Sequence, residues 1–275
     1  MCPLMAYMGN DPQRLRCWMG MLDQGVSIPF APAAVDGWGV GYFTGDRVLS
    51  SKRPHIARPW RFGAELADIE SKMALWHIAP RDGLTLDEQP LHYGQWLFAC
   101  EGELHVLPDG REDLTMQLPE HFVRRIKTHS PHELLFYWLL AKLQRESRLD
   151  APPGLLGPLV ELVQQSVNDF AEEYLEGHQL EQLAAVLSNG RQLLVLSRHG
   201  ELHISFKEGL PSCPACGEEA SVDYSLKEAH SRARAVVLIR GIEALEGAGW
   251  QKVGEHNIIA IDKDLSIHHY RWSPR

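Results

Sequence analysis

Three groups of residues in this sequence carry side chains that can do chemistry. The first is Cys2, which becomes the N-terminal residue if Met1 is removed. One residue then holds both a thiol and a free α-amine. An α-amine titrates at about 7.7–8.0, so it can take the proton of its own side chain and generate a thiolate nucleophile unaided. Cys2 also suits a small apolar place in a first strand. The second group is Asp36-Gly37-Trp38-Gly39-Val40-Gly41-Tyr42. Its glycines fall on one face of an extended strand and permit close approach by a neighbouring strand or a ligand. The third is Cys213-Pro214-Ala215-Cys216-Gly217. Cys213 and Cys216 are spaced as half of a structural zinc site, which takes four ligands. His199, His203 and His230 are near enough in sequence to complete a Cys₂His₂ set. The same spacing also occurs in redox pairs and in plain reduced turns.

Composition narrows what these groups can serve. A chain of 275 residues can bury a full core as one large domain or two small ones. A net charge of −9 argues against a broad phosphate-binding surface, so no nucleic-acid partner is expected. No apolar run approaches the ~20 residues of a membrane span, and no basic stretch precedes an apolar core at the N-terminus. The expectation is a protein with no membrane partner. Five cysteines are an odd and scattered set rather than a secreted disulfide framework, which points to a reducing, cytoplasmic setting.

Elements that would position the reactive groups follow from period and punctuation. Residues 2–8 read as a buried first strand. Residues 36–50 read as a hairpin turning at Thr44-Gly45-Asp46. A short helix is expected at 64–72, and core strands at Met73 to Ile78 and Trp96 to Cys100. Ser130-Pro131-His132-Glu133 is a helix start, with Ser as cap, Pro at the first helical position and Glu three residues after the cap. The apolar run Leu134 to Leu140 follows, and Pro152-Pro153-Gly154 breaks the helix. A second helix is expected over 155–175. Ala184 to Leu187 and Leu193 to Leu196 flank Asn189-Gly190, which suits a type I′ hairpin turn, and Leu202 to Phe206 continues that meander. Residues 207–232 read as polar and irregular. Ala235 to Ile239, Asn257 to Asp262 and Leu265 to Trp272 read as closing strands. Strands, then helices, then strands imply a layered α+β domain, taken as one unit over 1–275.

This order of features resembles the class II glutamine amidotransferases, in particular their stand-alone bacterial members. There an N-terminal Cys is followed by a strand and an Asp-Gly-Trp-Gly-x-Gly stretch. A His-x-Arg strand end and a His-Pro loop come next, then a strand ending in Asn-Gly, then a helix begun by Thr-Asp-Ser-Glu. This sequence supplies Cys2, Asp36 to Gly41, His77-Ile78, Gln89-Pro90, Trp96 to Gly102 and Ser130 to Glu133. Val236 to Ile261, with Gly249-Trp250 inside it, is similar to the closing strands. The resemblance implies the N-terminal nucleophile hydrolase fold, a four-layer αββα sandwich. It implies Cys2 as nucleophile and Gly102 with residue 101 at the oxyanion hole. It also implies a small-molecule amide substrate contacted by Asp36, Gly37, Trp38, His77 and position 79 or 81. No synthetase or acceptor domain is expected in this sequence, so any released ammonia would be used by a partner protein or lost.

The departures from the pattern are as specific as the match. The Arg that would grip a carboxylate with a bidentate fork is Ala79, with Arg81 beyond Pro80. The oxyanion-hole Asn is Glu101, and an ionised Glu only accepts hydrogen bonds. The Asp that would hold the substrate's ammonium is Pro131. Two readings remain open from the sequence. One is an amide hydrolase with Cys2 as nucleophile and a substrate lacking the glutamine head group. The other is a degenerate amidotransferase fold used for binding or as a scaffold. A Glu at position 101 fits the first only if its carboxyl is neutral or turned away.

Overall fold

Strict alternation of side chains along the central strands sets the architecture. The computed structural model describes residues 4–25, 35–54, 66, 68–80, 89–150, 152, 154–178, 180, 182–198, 202–217, 223–241 and 249–273. The strands are β1 (Leu4–Gly9), β2 (Val35–Thr44), β3 (Arg47–Pro54), β4 (Met73–Pro80), β5 (Leu91–Tyr93), β6 (Trp96–Glu101), β7 (Ala184–Ser188), β8 (Leu193–Ser197), β9 (Leu202–Glu208), β10 (Arg234–Arg240), β11 (Gln251–Lys252), β12 (Asn257–Ile261) and β13 (Ile267–Arg271). The α-helices are α1 (Leu15–Gly25), α2 (Gly110–Gln117), α3 (Glu120–Val123), α4 (Pro131–Arg145), α5 (Leu156–Tyr174) and α6 (Tyr224–Arg232).

Sheet one runs β11-β9-β10-β1-β4-β2-β3 and sheet two runs β13-β12-β8-β7-β6-β5. In β1, Leu4, Ala6 and Met8 point one way and join Leu75, Leu97, Ala99, Val186, Val195 and Ile259 in a core between the two sheets. Met5 and Tyr7 point the other way, with Trp76 and Ile78 of β4, against Leu15, Trp18 and Met19 of α1. The outer face of sheet two, with Phe98, Leu187 and Leu196, packs against α4 and α5 through residues such as Trp138 and Phe170. The central strands β1, β6, β7 and β8 bury both faces, because helices cover the outside and the opposite sheet covers the inside, whereas the edge strands β5, β11 and β13 stay partly exposed. The result is the four-layer αββα sandwich that the motif order implies. Among the described residues, no helix is long and apolar enough to cross a membrane.

Helix α4 starts as its sequence dictates. Glu133 N–H donates to Ser130 Oγ at 3.1 Å, with Pro131 at the first helical position. The Glu133 carboxylate does not close a reciprocal box with Ser130. It reaches further back and accepts from the N–H groups of Lys127, Thr128 and His129, tying down the loop that feeds the helix.

The expected short helix at 64–72 falls partly outside the described residues; within it, Ile69 N–H donates to Leu66 O. Three local expectations are corrected. The β7–β8 loop spans Asn189 to Gln192. Asn189 Oδ1 accepts from the Arg191 and Gln192 N–H groups, so the Asn side chain organises a longer loop than a two-residue type I′ turn. Strand β9 does not continue that meander; it crosses to sheet one and pairs with β10, with Leu202 and Ile204 turned into the core between the sheets. The segment 207–232 ends in helix α6, capped by Asp223.

Candidate active site

His77 sits on β4 with Leu4 of β1 as its neighbour on one side and Gly39 of β2 on the other. It follows Met73 and Leu75 on the face turned to sheet two. Glu101 ends β6, following Leu97 and Ala99 on the face turned to sheet one. Both alternations therefore deliver a polar side chain to the same end of the inter-sheet core. His77 Nε2 and Glu101 Oε1 are 2.5 Å apart, and both residues are buried. Whichever partner carries the shared proton, each satisfies the other. Removing either would strand a buried polar group, which is costly.

Gly102 follows with φ +123°, a region that side-chain-bearing residues avoid. A Cβ there would lie 3.0 Å from the Gln182 carbonyl oxygen. That same carbonyl accepts a hydrogen bond from Arg240 Nη2 at 2.8 Å. Arg240 closes β10 on the inter-sheet face and is buried; its strand register places it opposite Leu4. The first described residue of β1 is thus flanked by His77 on one side and Arg240 on the other. From the other direction His132 of α4 bonds the Gly102 carbonyl through Nε2 at 2.9 Å.

Gln89 fixes the approach to this corner. Its Oε1 accepts from the Cys100 N–H at 2.6 Å and its Nε2 donates to the Cys100 carbonyl at 3.0 Å. The side-chain amide thus acts as one more strand residue beside β6. The segment lies so close to β2 that a Cβ on Gly39 would be 2.1 Å from the Gln89 carbonyl oxygen. The motif glycine is therefore required by an approaching backbone, one of the two roles its face can serve.

The sequence-derived site residues divide into several groups. Glu101, Gly102 and His77 converge. Asp36 and Ala79 lie on neighbouring strands, where β2 has an irregularity between Val35 and Gly37 and Gly37 pairs with Ala79. Trp38 is a correction. Its side chain belongs to the core under α1, on the opposite side of sheet one from His77, because it alternates with Gly37 and Gly39. Cys2 and Arg81 fall outside the described residues, as does the expected proximity of Cys2 to Gly102. Arg240, Gln89 and His132 were not anticipated. The available signal for Arg240 was a cation closing an otherwise apolar strand.

Cys213 and Cys216 are buried, because their loop packs under α1. There they meet Cys17 of α1 and His230 of α6. One ligand atom from each of the four lies within 4.8 Å of all the others. His203, in β9, stands outside this group, and His199 lies outside the described residues. Burial, followed by the neighbouring Cys213 and Cys216, pushes the Cys17 thiol up to about 12. A thiol so placed is not a nucleophile at neutral pH.

Comparison with known proteins agrees with this geometry. The sequence profile described as glutamine amidotransferases class-II matches residues 1–264. No functionally curated protein matches the sequence. Among solved structures, a glutamine aminotransferase class-II domain protein from Silicibacter pomeroyi is similar at 14% identity and TM-score 0.58, covering 99% of this chain and 100% of its own. A predicted glutamine amidotransferase from Pseudomonas aeruginosa is similar at 15% identity and TM-score 0.54, covering 95% and 97%. A glutamine phosphoribosylpyrophosphate amidotransferase from B. subtilis is similar at 14% identity and TM-score 0.56, over 100% of this chain but 50% of that one. At these identities the likeness is one of fold. With the profile match spanning nearly the whole chain, and with Glu101, Gly102 and His77 brought to one corner of a four-layer sandwich, the chain belongs to the class II glutamine amidotransferases.

Proposed function

We propose that this family member does not hydrolyse glutamine and that its altered site serves for binding. The observation that carries this reading is the buried His77–Glu101 contact. In the family pattern, position 101 supplies an amide donor to the oxyanion of the tetrahedral intermediate. Here it supplies a carboxyl already engaged by an imidazole. Loss of one such donor costs about 100–1000-fold in rate. Ala79 and Pro131 also lack the charges that the pattern uses to grip the carboxylate and ammonium of glutamine. The buried free thiols at Cys17, Cys100, Cys213 and Cys216 suit a reducing compartment such as the cytoplasm.

The test is ammonia release from glutamine. The unmodified protein is expected to give none above background. The double substitution Glu101→Asn with Ala79→Arg is expected to raise the rate. Robust turnover by the unmodified protein would refute the proposal and would direct attention to Arg81 as the carboxylate clamp.

One feature favours a second reading, in which Cys2 attacks an amide other than glutamine. Gly102 is retained in the conformation only glycine favours, and its backbone N–H is the other donor of the family's oxyanion hole. Any ammonia so released would go to an acceptor protein. This reading requires Met1 to be removed and Cys2 to react with iodoacetamide faster than the buried Cys17 and Cys100. Peptide mass spectrometry after brief labelling measures both. Retained Met1 and an unlabelled Cys2 would exclude it.

A further inference from the structure

The geometry points to a structural zinc site formed by Cys17, Cys213, Cys216 and His230, a centre unrelated to the amide site. Tetrahedral zinc has Zn–S of about 2.3 Å and Zn–N of about 2.0–2.1 Å, which places sulfurs about 3.8 Å from one another and about 3.6 Å from the nitrogen. Cys17 Sγ lies 3.7 Å from Cys216 Sγ and 3.6 Å from His230 Nε2, and Cys216 Sγ lies 3.7 Å from the same nitrogen. These three edges match one face of a tetrahedron around one ion, and Cys213 Sγ supplies the fourth corner, all four ligand atoms lying within 4.8 Å of one another. Three thiolates and one imidazole are a donor set that selects zinc over oxygen-seeking cations.

The surroundings are built for the same purpose. The Cys213–Gly217 turn closes on itself, with the Cys216 and Gly217 N–H groups donating to the Cys213 carbonyl at 3.3 and 2.9 Å. Gly217 takes φ +54°, which ends the turn directly after its second thiol. The turn docks on α1 at Gly20, where a Cβ would lie 3.5 Å from Pro214 and 3.6 Å from the Ala215 side chain. Cys17 and Gly20 are three residues apart on one helix face, so the helix presents its thiol beside the space that the turn needs. From the far side, Leu210 N–H donates to the His230 carbonyl at 3.0 Å, which holds α6 against the same loop. Three thiolates around a divalent cation leave a negative charge. The buried Arg14, paired with Asp11 at 3.2 Å, brings a positive charge beside Cys17. All four ligand residues are buried, so the site is closed to a substrate, as structural rather than catalytic zinc requires. Its role is to fasten α1, the 209–217 loop and α6 into one layer over sheet one.

The test uses the full chain purified under reducing conditions without added metal. Elemental analysis should find one zinc per chain. Cobalt replacing it should give strong d–d absorption in the red and a thiolate charge-transfer band in the near ultraviolet. Cys17→Ser should hold only a small fraction of the zinc under chelator competition. His230→Cys should keep it, as should Cys100→Ala, whose thiol lies on β6 in the core under α4 and α5. If Cys17→Ser does not fold, the cobalt spectrum of the unmodified protein and the retention by His230→Cys still decide the matter. Reduced protein with neither zinc nor a cobalt spectrum would overturn the inference. So would a Cys213–Cys216 disulfide in freshly purified protein, or a full zinc complement resisting the chelator in Cys17→Ser.

Discussion

The two helical layers of this sandwich are held to their sheets by different means. Over sheet two lie α4 and α5, of 15 and 19 residues, and their contact is dense with rings. Trp138 packs on Phe170 and Tyr174, and Phe136 stacks on Phe98 of the sheet. The Trp138 indole N–H is satisfied by the Ser166 carbonyl at 2.8 Å. Over sheet one, among the described residues, lie α1 and α6, of 11 and 9 residues, with an irregular loop between them in space. Helices that short bury little apolar surface, and burial is the dominant favourable term. The thin layer carries the Cys17–Cys213–Cys216–His230 group; the thick one does not. A layer with enough side-chain packing needs no staple, and one without it gains from a constraint that does not scale with area.

Metal removal tests that contrast most strongly. Structural zinc contributes about 10–16 kcal/mol in isolated zinc-finger peptides. In a domain with its own core the loss should stay local. After chelation, amide exchange should accelerate across α1, 209–217 and α6, while α4 and α5 keep their protection. Uniform acceleration, or none, would break the contrast. In the thick layer, Phe170→Ala should cost about 3–5 kcal/mol in chemical denaturation, as expected for a fully buried ring, and should leave the metal content unchanged. The smallest effect is expected at the start of α4. Ser130→Ala should lose about 1 kcal/mol through the missing cap, with the loop kept in place by Glu133. A cost several times larger would mean that the thick layer also depends on one local fastening.

Much of this was legible in the sequence, for reasons that differ from residue to residue. The order of motifs gave the sandwich, and the position of Glu101 before Gly102 marked the altered corner. The Ser130 cap was readable because a helix start is a local event. The close spacing of Cys213 and Cys216 was legible for the same reason. Cys17 could not be paired with them, because nearly two hundred residues intervene and only the packing of α1 on the loop joins them. Arg240 was hidden similarly, since its place beside Gly102 depends on β10 lying next to β1. Trp38 is a different case. Simple alternation puts it on the face opposite Gly37 and Gly39, yet the resemblance grouped all three around a substrate. The periodicity was the better guide. Strand β9 misled because a short connection after a hairpin normally continues the same sheet, and its apolar face, turned into the core between the sheets, suits either one.

The strand order has a consequence for how the chain is made. Leu4 of β1 pairs with His77 on one side and with Arg240 on the other. A ribosome adding about 5–20 residues per second supplies the first partner within seconds and the second only on the order of ten seconds or more later. Throughout that interval β1 has one open edge in the nascent chain, rich in apolar residues and able to pair with another strand. Sheet one is completed late, after sheet two has already received β5 to β8. Productive yield should therefore depend on whatever shields the early strands during synthesis, and slowing translation ahead of β10 should lower it.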